Sequence, residues 1–203
     1  MQIKKGMSLL ARILVKPFGG IWKLKALCTS NSTGISSKLY RFIYNLYQFE
    51  HGSAISYKTS FSGIPTLPHG MKQIIISEDA KIGKNCVIFH QVTIERDTLP
   101  TSETFGSPII GDNCYIYPGA KIIGDVTLGD NVTLGPNVVV TQNIPSNSLL
   151  TYSTQKIIKI EDETPNRYYT LYQNRWVYFN NNTPTAIKDK KIIQKLEQKF
   201  QNP

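Results

Sequence analysis

From residue 76 onward, apolar residues return at every sixth position. The chain divides into "ISEDAK", "IGKNCV" and "IFHQVT", reaches Ile94, and resumes after a break as "IGDNCY", "IYPGAK", "IIGDVT", "LGDNVT", "LGPNVV" and "VTQNIP". Every block opens with Ile, Leu or Val (positions 76, 82, 88, 94, 110, 116, 122, 128, 134 and 140). The fifth place is always small or aliphatic: Ala80, Cys86, Val92, Cys114, Ala120, Val126, Val132, Val138 and Ile144. Gly, Asn and Asp collect between these places, where a chain turns. A helix repeats every 3.6 residues and a strand every two, so neither explains a period of six. A triangular solenoid does. Each hexad supplies one short strand and one corner, three hexads close a coil, and the leading aliphatics stack into a dry column.

One break interrupts this order. Between Ile94 and Ile110 runs "ERDTLPTSETFGSPI", polar and proline-containing. It predicts a loop over 95–109, read as a functional or interface element, with a tolerated surface insertion as the plainer alternative.

The flanks follow other periods. In "KLYRFIYNLYQFE" (38–50), Leu39, Phe42, Ile43, Leu46 and Phe49 share one helical stripe, which predicts a core-facing helix. Beyond the solenoid, "NRYYTLYQNRWVYF" predicts an aromatic hairpin turning near Gln173 and Asn174. "NNNTP" reads as a linker, and a helix around 185–200 carries Ile187, Ile192, Leu196 and Phe200. The expected fold is an all-β core, a parallel β-helix of hexapeptide repeats, with an N-terminal helical segment and a C-terminal hairpin plus helix. Its parts are 1–53, 54–160 with the protruding loop, and 161–203.

Composition narrows the function classes. The length of 203 residues suits one domain with appendages, and 40% hydrophobic residues suffice for a core. No apolar run approaches the ~20 residues of a membrane span. Cys28, Cys86 and Cys114 have neither disulfide-framework nor metal-type spacing, which suits a reducing, cytoplasmic compartment. The N-terminal apolar stretch is broken by Arg12 and Lys16 with no small-residue cleavage site after it, so a signal peptide is not expected.

The net charge of +9 is concentrated at one end. Residues 1–49 carry eight Lys or Arg and no acid, whereas the rest carries fifteen basic and fourteen acidic side chains. Mixed with Leu9, Leu10, Ile13, Leu14, Phe18, Ile21, Trp22 and Leu24, this basic stretch suits peripheral contact of residues 1–25 with the inner face of the cell membrane. A helical cap with a solvated basic face is the plainer reading. No motif points to nucleic acid.

Histidine is the side chain best suited to base catalysis near neutral pH. His51 falls in the helix-to-solenoid connection, as a cap or turn residue. His69 precedes a glycine at the first corner of the solenoid. His90 takes a corner-type place in "IFHQVT", 21 residues later. The last two are expected to face outward from adjacent coils and to lie near the 95–109 loop. The spacings of 18 and 21 between the three histidines disfavour a metal site, so none is expected.

"PHG", "EDAKIGKNCVIFHQVTI", the loop, "SPIIGDNCYIYPGAKIIGDVTLGDNVTLGPNVVV" and "NIP" follow in the order found in the hexapeptide-repeat transferases. The resemblance is closest to the serine acetyltransferase type and its relatives from capsule and O-antigen loci. It implies a left-handed coil, a homotrimer, and acetyl-CoA as co-substrate in a groove between neighbouring solenoids. His69 falls where that family keeps its catalytic histidine, with His90 a secondary candidate. The resemblance places Gly119, Ala120 and Gly135 along the coenzyme, with Lys156 and Lys159 toward its phosphates.

The chain also departs from that pattern. The family's Asp before the catalytic histidine is Pro68 here, and the Asp fifteen residues before it is Ala54. The Arg-His pair that holds serine is replaced by Gly106 and Ser107, and "YSTQ" (152–155) replaces the usual end of the solenoid. Losing those charges suggests a neutral acceptor, a saccharide hydroxyl of a surface polysaccharide or its precursor. Asp97 and Ser107 are expected to contact that acceptor, and Glu78, Asp97 or a backbone carbonyl to orient His69. The alternatives are a serine acetyltransferase with an altered site and a non-catalytic trimeric scaffold.

Overall fold

A computed structural model describes residues 13–30, 34–151, 157–159, 167–180 and 183–199. Residues 54–150 wind into a left-handed parallel β-helix with three faces. The first face stacks β1 (Ala54–Ile55), β3 (Ile75–Ile76), β6 (Thr93–Glu95), β9 (Lys121–Ile123) and β12 (Val139–Val140). The second stacks β2 (Ser60–Phe61), β4 (Lys81–Ile82), β7 (Ile109–Ile110) and β10 (Thr127–Leu128). The third stacks β5 (Val87–Ile88), β8 (Tyr115–Ile116), β11 (Thr133–Leu134) and β13 (Ser148–Leu150), and β14 (Ile157–Lys159) closes it antiparallel.

The hexad positions do what their chemistry requires. Every leading aliphatic from Ile76 to Val140, and every fifth-place residue, is buried in one continuous cluster. At the fourth place, Asn85, Gln91, Asn113, Asn131 and Asn137 adopt left-handed backbone, which Asn tolerates because its short amide bonds locally. Stacked corners add side-chain ladders, such as Asn131 Nδ2 donating to Asn147 Oδ1 at 2.9 Å.

The solenoid starts one coil earlier than the hexads beginning at residue 76. Ile55 pairs with Ile76 and Ile76 with Ile94, offsets of 21 and 18 residues. Three extra residues therefore enter the first coil, at the corner that carries His69. Ile94 pairs with Ile122, and the 28-residue offset measures the 95–108 loop at a different corner.

Two helices cover the first coil, α1 (Ile21–Ser30) and α2 (Ile35–Glu50). Of the expected apolar stripe, only Ile43 lies on the buried face of α2. Ser37, Ile43, Tyr44, Tyr47 and Gln48 point inward, while Leu39, Phe42 and Phe49 are exposed and Leu46 is half-buried. The reason is the strand edge beneath. The outermost coil presents peptide groups that need partners as well as apolar contact. The Tyr44 hydroxyl donates to the Ile55 carbonyl at 3.0 Å, and Gln48 Oε1 accepts from the Ser53 hydroxyl (2.7 Å) and the Ile55 N–H (3.2 Å). On α1, the Lys25 ammonium donates to the carbonyls of Tyr57 and Thr59.

At the other end, the hairpin forms as expected from β15 (Tyr169–Tyr172) and β16 (Arg175–Asn180), with Gln173 and Asn174 both left-handed in its turn. Of the expected linker, residues 181–182 lie outside the described residues and the rest is strand: β17 (Thr183–Ala186) pairs with β16 and makes a three-stranded sheet. The last helix, α3, spans Lys190–Lys199.

Candidate active site

The three–one edge, where the third face turns into the first, carries both outward histidines. His69 follows Thr66, which bridges to Val87 on the third face, and precedes β3. His90 sits between β5 and β6 on the next coil. The three-residue lengthening of the first corner puts the rings side by side, with Nδ1 of His69 2.7 Å from Nδ1 of His90. One ring must carry its proton on Nδ1 and donate while the other accepts. When His69 is the donor, its Nε2 lone pair is free to act as a base.

Burial lowers the His69 pKa below the ordinary histidine value, and the charges of His90 and Lys72 lower it further. The ring is thus neutral at neutral pH, the form a general base needs. Phe89 meets His69 edge-on at 5.5 Å and stacks flat on Tyr117 of the next coil at 5.6 Å. Tyr115 and Tyr168 complete an aromatic wall around Phe89.

The same edge collects three of the expected coenzyme residues. Gly119 and Ala120 form the corner between β8 and β9, and Gly135 the corner between β11 and β12. The Gly119 N–H donates to the His90 carbonyl at 3.2 Å, tying that corner to the histidine pair. Gly119 has φ +76°, and a Cβ there would strike Asn137, so only glycine fits. The Ala120 side chain is core. Lys156 lies outside the described residues, and Lys159 is described only as the end of β14.

The expected orienting and acceptor residues lie elsewhere in the chain. Glu78, Asp97 and Ser107 belong to the one–two edge, between the first and second faces. Glu78 pairs with Lys58 at 3.0 Å and Arg96 at 3.9 Å. Asp97 is held below the usual carboxylate range by hydrogen bonds from Ser102, the Leu99 N–H and Thr104, and serves its own loop. The loop likewise leaves from this edge, so within one chain it is not beside the histidines. The group paired with His69 is His90. A groove of about 460 Å³ between α2 and the first face, lined by Gln48, Phe49, Ile75, Glu78 and Arg96 among others, is likewise away from the pair.

Sequence reasoning missed Phe89, Tyr117 and Lys72. A signal existed for two of them. Phe89 and Tyr117 both hold the second place of hexads that stack in register, Ile88 on Ile116. His51 is the C-cap of α2, its Nδ1–H donating to the Tyr47 carbonyl at 2.7 Å, in line with the cap expected of it.

Fold and edge together define a hexapeptide-repeat β-helix with a histidine pair on one corner row. Residues 107–142 match the family model "Bacterial transferase hexapeptide (six repeats)". Over 129 residues, 58% of this chain and 59% of the relative, the chain is 34% identical to a serine acetyltransferase of Staphylococcus aureus. It spans about half the length of the curated relatives it matches. Among solved structures it resembles the serine acetyltransferase of Neisseria gonorrhoeae with a TM-score of 0.59, at 22% identity, covering 71% of this chain and 56% of that one. A serine acetyltransferase in complex with CoA superposes with a TM-score of 0.55 at 19% identity, covering 68% and 54%.

Proposed function

We propose that this chain is an acetyl-CoA-dependent O-acetyltransferase with His69 as its general base. The observation that carries this reading is the 2.7 Å His69–His90 pair on the corner row that also bears Gly119 and Gly135. His69 Nε2 takes the proton of the acceptor hydroxyl, the oxygen attacks the thioester carbon, and the C–S bond breaks. The protonated imidazole then returns its proton to the CoA thiolate. Acetyl-CoA would run along the three–one edge. In a homotrimer, the 95–108 loop of one copy would close over the histidine pair of its neighbour. That brings Asp97 and Ser107 to the acceptor.

Serine is the acceptor that the relatives favour. Lys72, exposed and close enough to depress the His69 pKa, is the cation suited to its carboxylate. A saccharide hydroxyl is the second reading. The loss of the family's charged pair and the Phe89–Tyr117 wall, with Tyr117 partly exposed beside the pair, favour it. Following CoA thiol release with serine and with a panel of sugars separates the two. Lys72→Gln should raise KM for serine alone, and Tyr117→Ala should raise KM for a sugar alone. His69→Ala should reduce kcat by about 100- to 10,000-fold with the melting temperature unchanged. Full activity in that variant would remove His69 from its role.

A further inference from the structure

The outer face of α2 carries five apolar side chains at spacings of four, three, four and three: Ile35, Leu39, Phe42, Leu46 and Phe49. At 100° per residue they share an arc of about 80° and run about 21 Å along the helix. Four are well exposed: Ile35 at 88%, Leu39 at 51%, Phe42 at 65% and Phe49 at 82%. The opposite face is already spent on the first coil through Tyr44, Tyr47 and Gln48. The stripe is therefore surplus to folding, and a contiguous exposed apolar patch on a folded protein marks a contact surface.

Charge decides what covers it. Eight Lys or Arg and no acid precede Glu50 in the sequence, and Lys16, Lys23 and Lys38 are exposed. A second copy of the same segment would bring like charge to like charge. A surface of anionic lipid headgroups brings the opposite charge, together with an acyl boundary for the apolar stripe. No helix of the described residues is long and apolar enough to cross a membrane, so the contact lies in the interfacial plane.

We propose that α2 is a membrane-docking element, its Ile35–Phe49 stripe entering the acyl boundary of an anionic bilayer while the neighbouring lysines meet the headgroups. Residues 1–12 of the basic stretch expected to make such a contact lie outside the described residues, and this contact is instead on the outer face of the helix that caps the solenoid. It does not depend on the acceptor or on the chemistry at His69.

The test is co-sedimentation of the full chain with vesicles of phosphatidylcholine alone and with 30% phosphatidylglycerol, at low and high salt. Binding is expected only to the anionic vesicles and should fall as salt rises. Phe42→Ser with Phe49→Ser should weaken it by at least about tenfold, and Ile35→Ser with Leu39→Ser, at the other end of the stripe, should do the same. Both pairs are exposed, so circular dichroism and melting should match the parent chain. No binding to anionic vesicles, or binding by both double variants as tight as the parent chain's, overturns the proposal. So does a stripe variant that breaks a larger assembly into a smaller one in light scattering without lipid, which would assign the face to a second copy.

Discussion

A histidine hydrogen-bonded to another histidine titrates in the opposite sense from one held by a carboxylate. A carboxylate would raise the His69 pKa by stabilising the imidazolium. Here burial, then His90, then Lys72 lower it. A lowered pKa keeps the base neutral further into acid, so activity should persist below the ordinary histidine value near 6.5 and fall as pH drops through the His69 pKa. His90 acts on that limb in two ways. When neutral, its Nδ1 accepts from His69 and fixes the tautomer; when charged, it opposes a second positive charge and depresses the His69 pKa. His90→Gln, whose amide oxygen can still accept from Nδ1–H, should keep kcat/KM within about tenfold, whereas His90→Ala should lose about 100-fold. Both should move the acid limb upward in pH, because the opposing charge is gone. The other titratable groups around the pair are Lys72 and the phenols of Tyr115, Tyr117 and Tyr168, so a pH–rate profile on Lys72→Gln should move the same way. A limb that stays in place in all three variants would mean that it reports a different group.

At the scale of the element, the solenoid stands on its stacked first-place aliphatics. Ile116 is fully buried between Ile88 and Leu134 on one face, and Ile116→Ala should destabilise the chain by about 3 kcal/mol in denaturant titration. That column was legible in the sequence because burial at every sixth position leaves a period nothing else produces. The face of α2 was not. Its stripe has the spacing of a core helix, but the surface it covers is a strand edge that wants hydroxyls and amides, so Tyr44 and Gln48 turned inward. The histidine pair was half legible. The 21-residue separation placed both on corners, but only the register Ile55 to Ile76 shows that three extra residues make those corners meet. Glu78 was a reasonable orienting carboxylate by distance along the chain, yet it faces Lys58 on another edge.

For the whole molecule, the decisive fact is that the loop and the histidines occupy different edges of one triangle. His69 and His90 lie between the third and first faces, the loop between the first and second. Within one chain the loop is held at its own edge, by the Asp97–Gly106 bridge and by the Asp125 N–H donating to the Thr104 carbonyl, and does not lie over the histidines. In the proposed homotrimer, with its axis along the solenoids, each copy would offer its loop edge to the next copy's histidine edge. Two inactive variants should therefore rescue each other. One is His69→Ala with its loop intact, and the other keeps His69 but has residues 98–105 replaced by a short glycine-serine turn. Refolded together at equal amounts, they should recover about a quarter of the parent activity per site, the chance that an intact histidine edge faces an intact loop. Each refolded alone should stay inactive while eluting at the trimer's mass. If the loop variant is fully active by itself, the loop has no part in the site. If mixing restores nothing, loop and histidine do not meet across the interface.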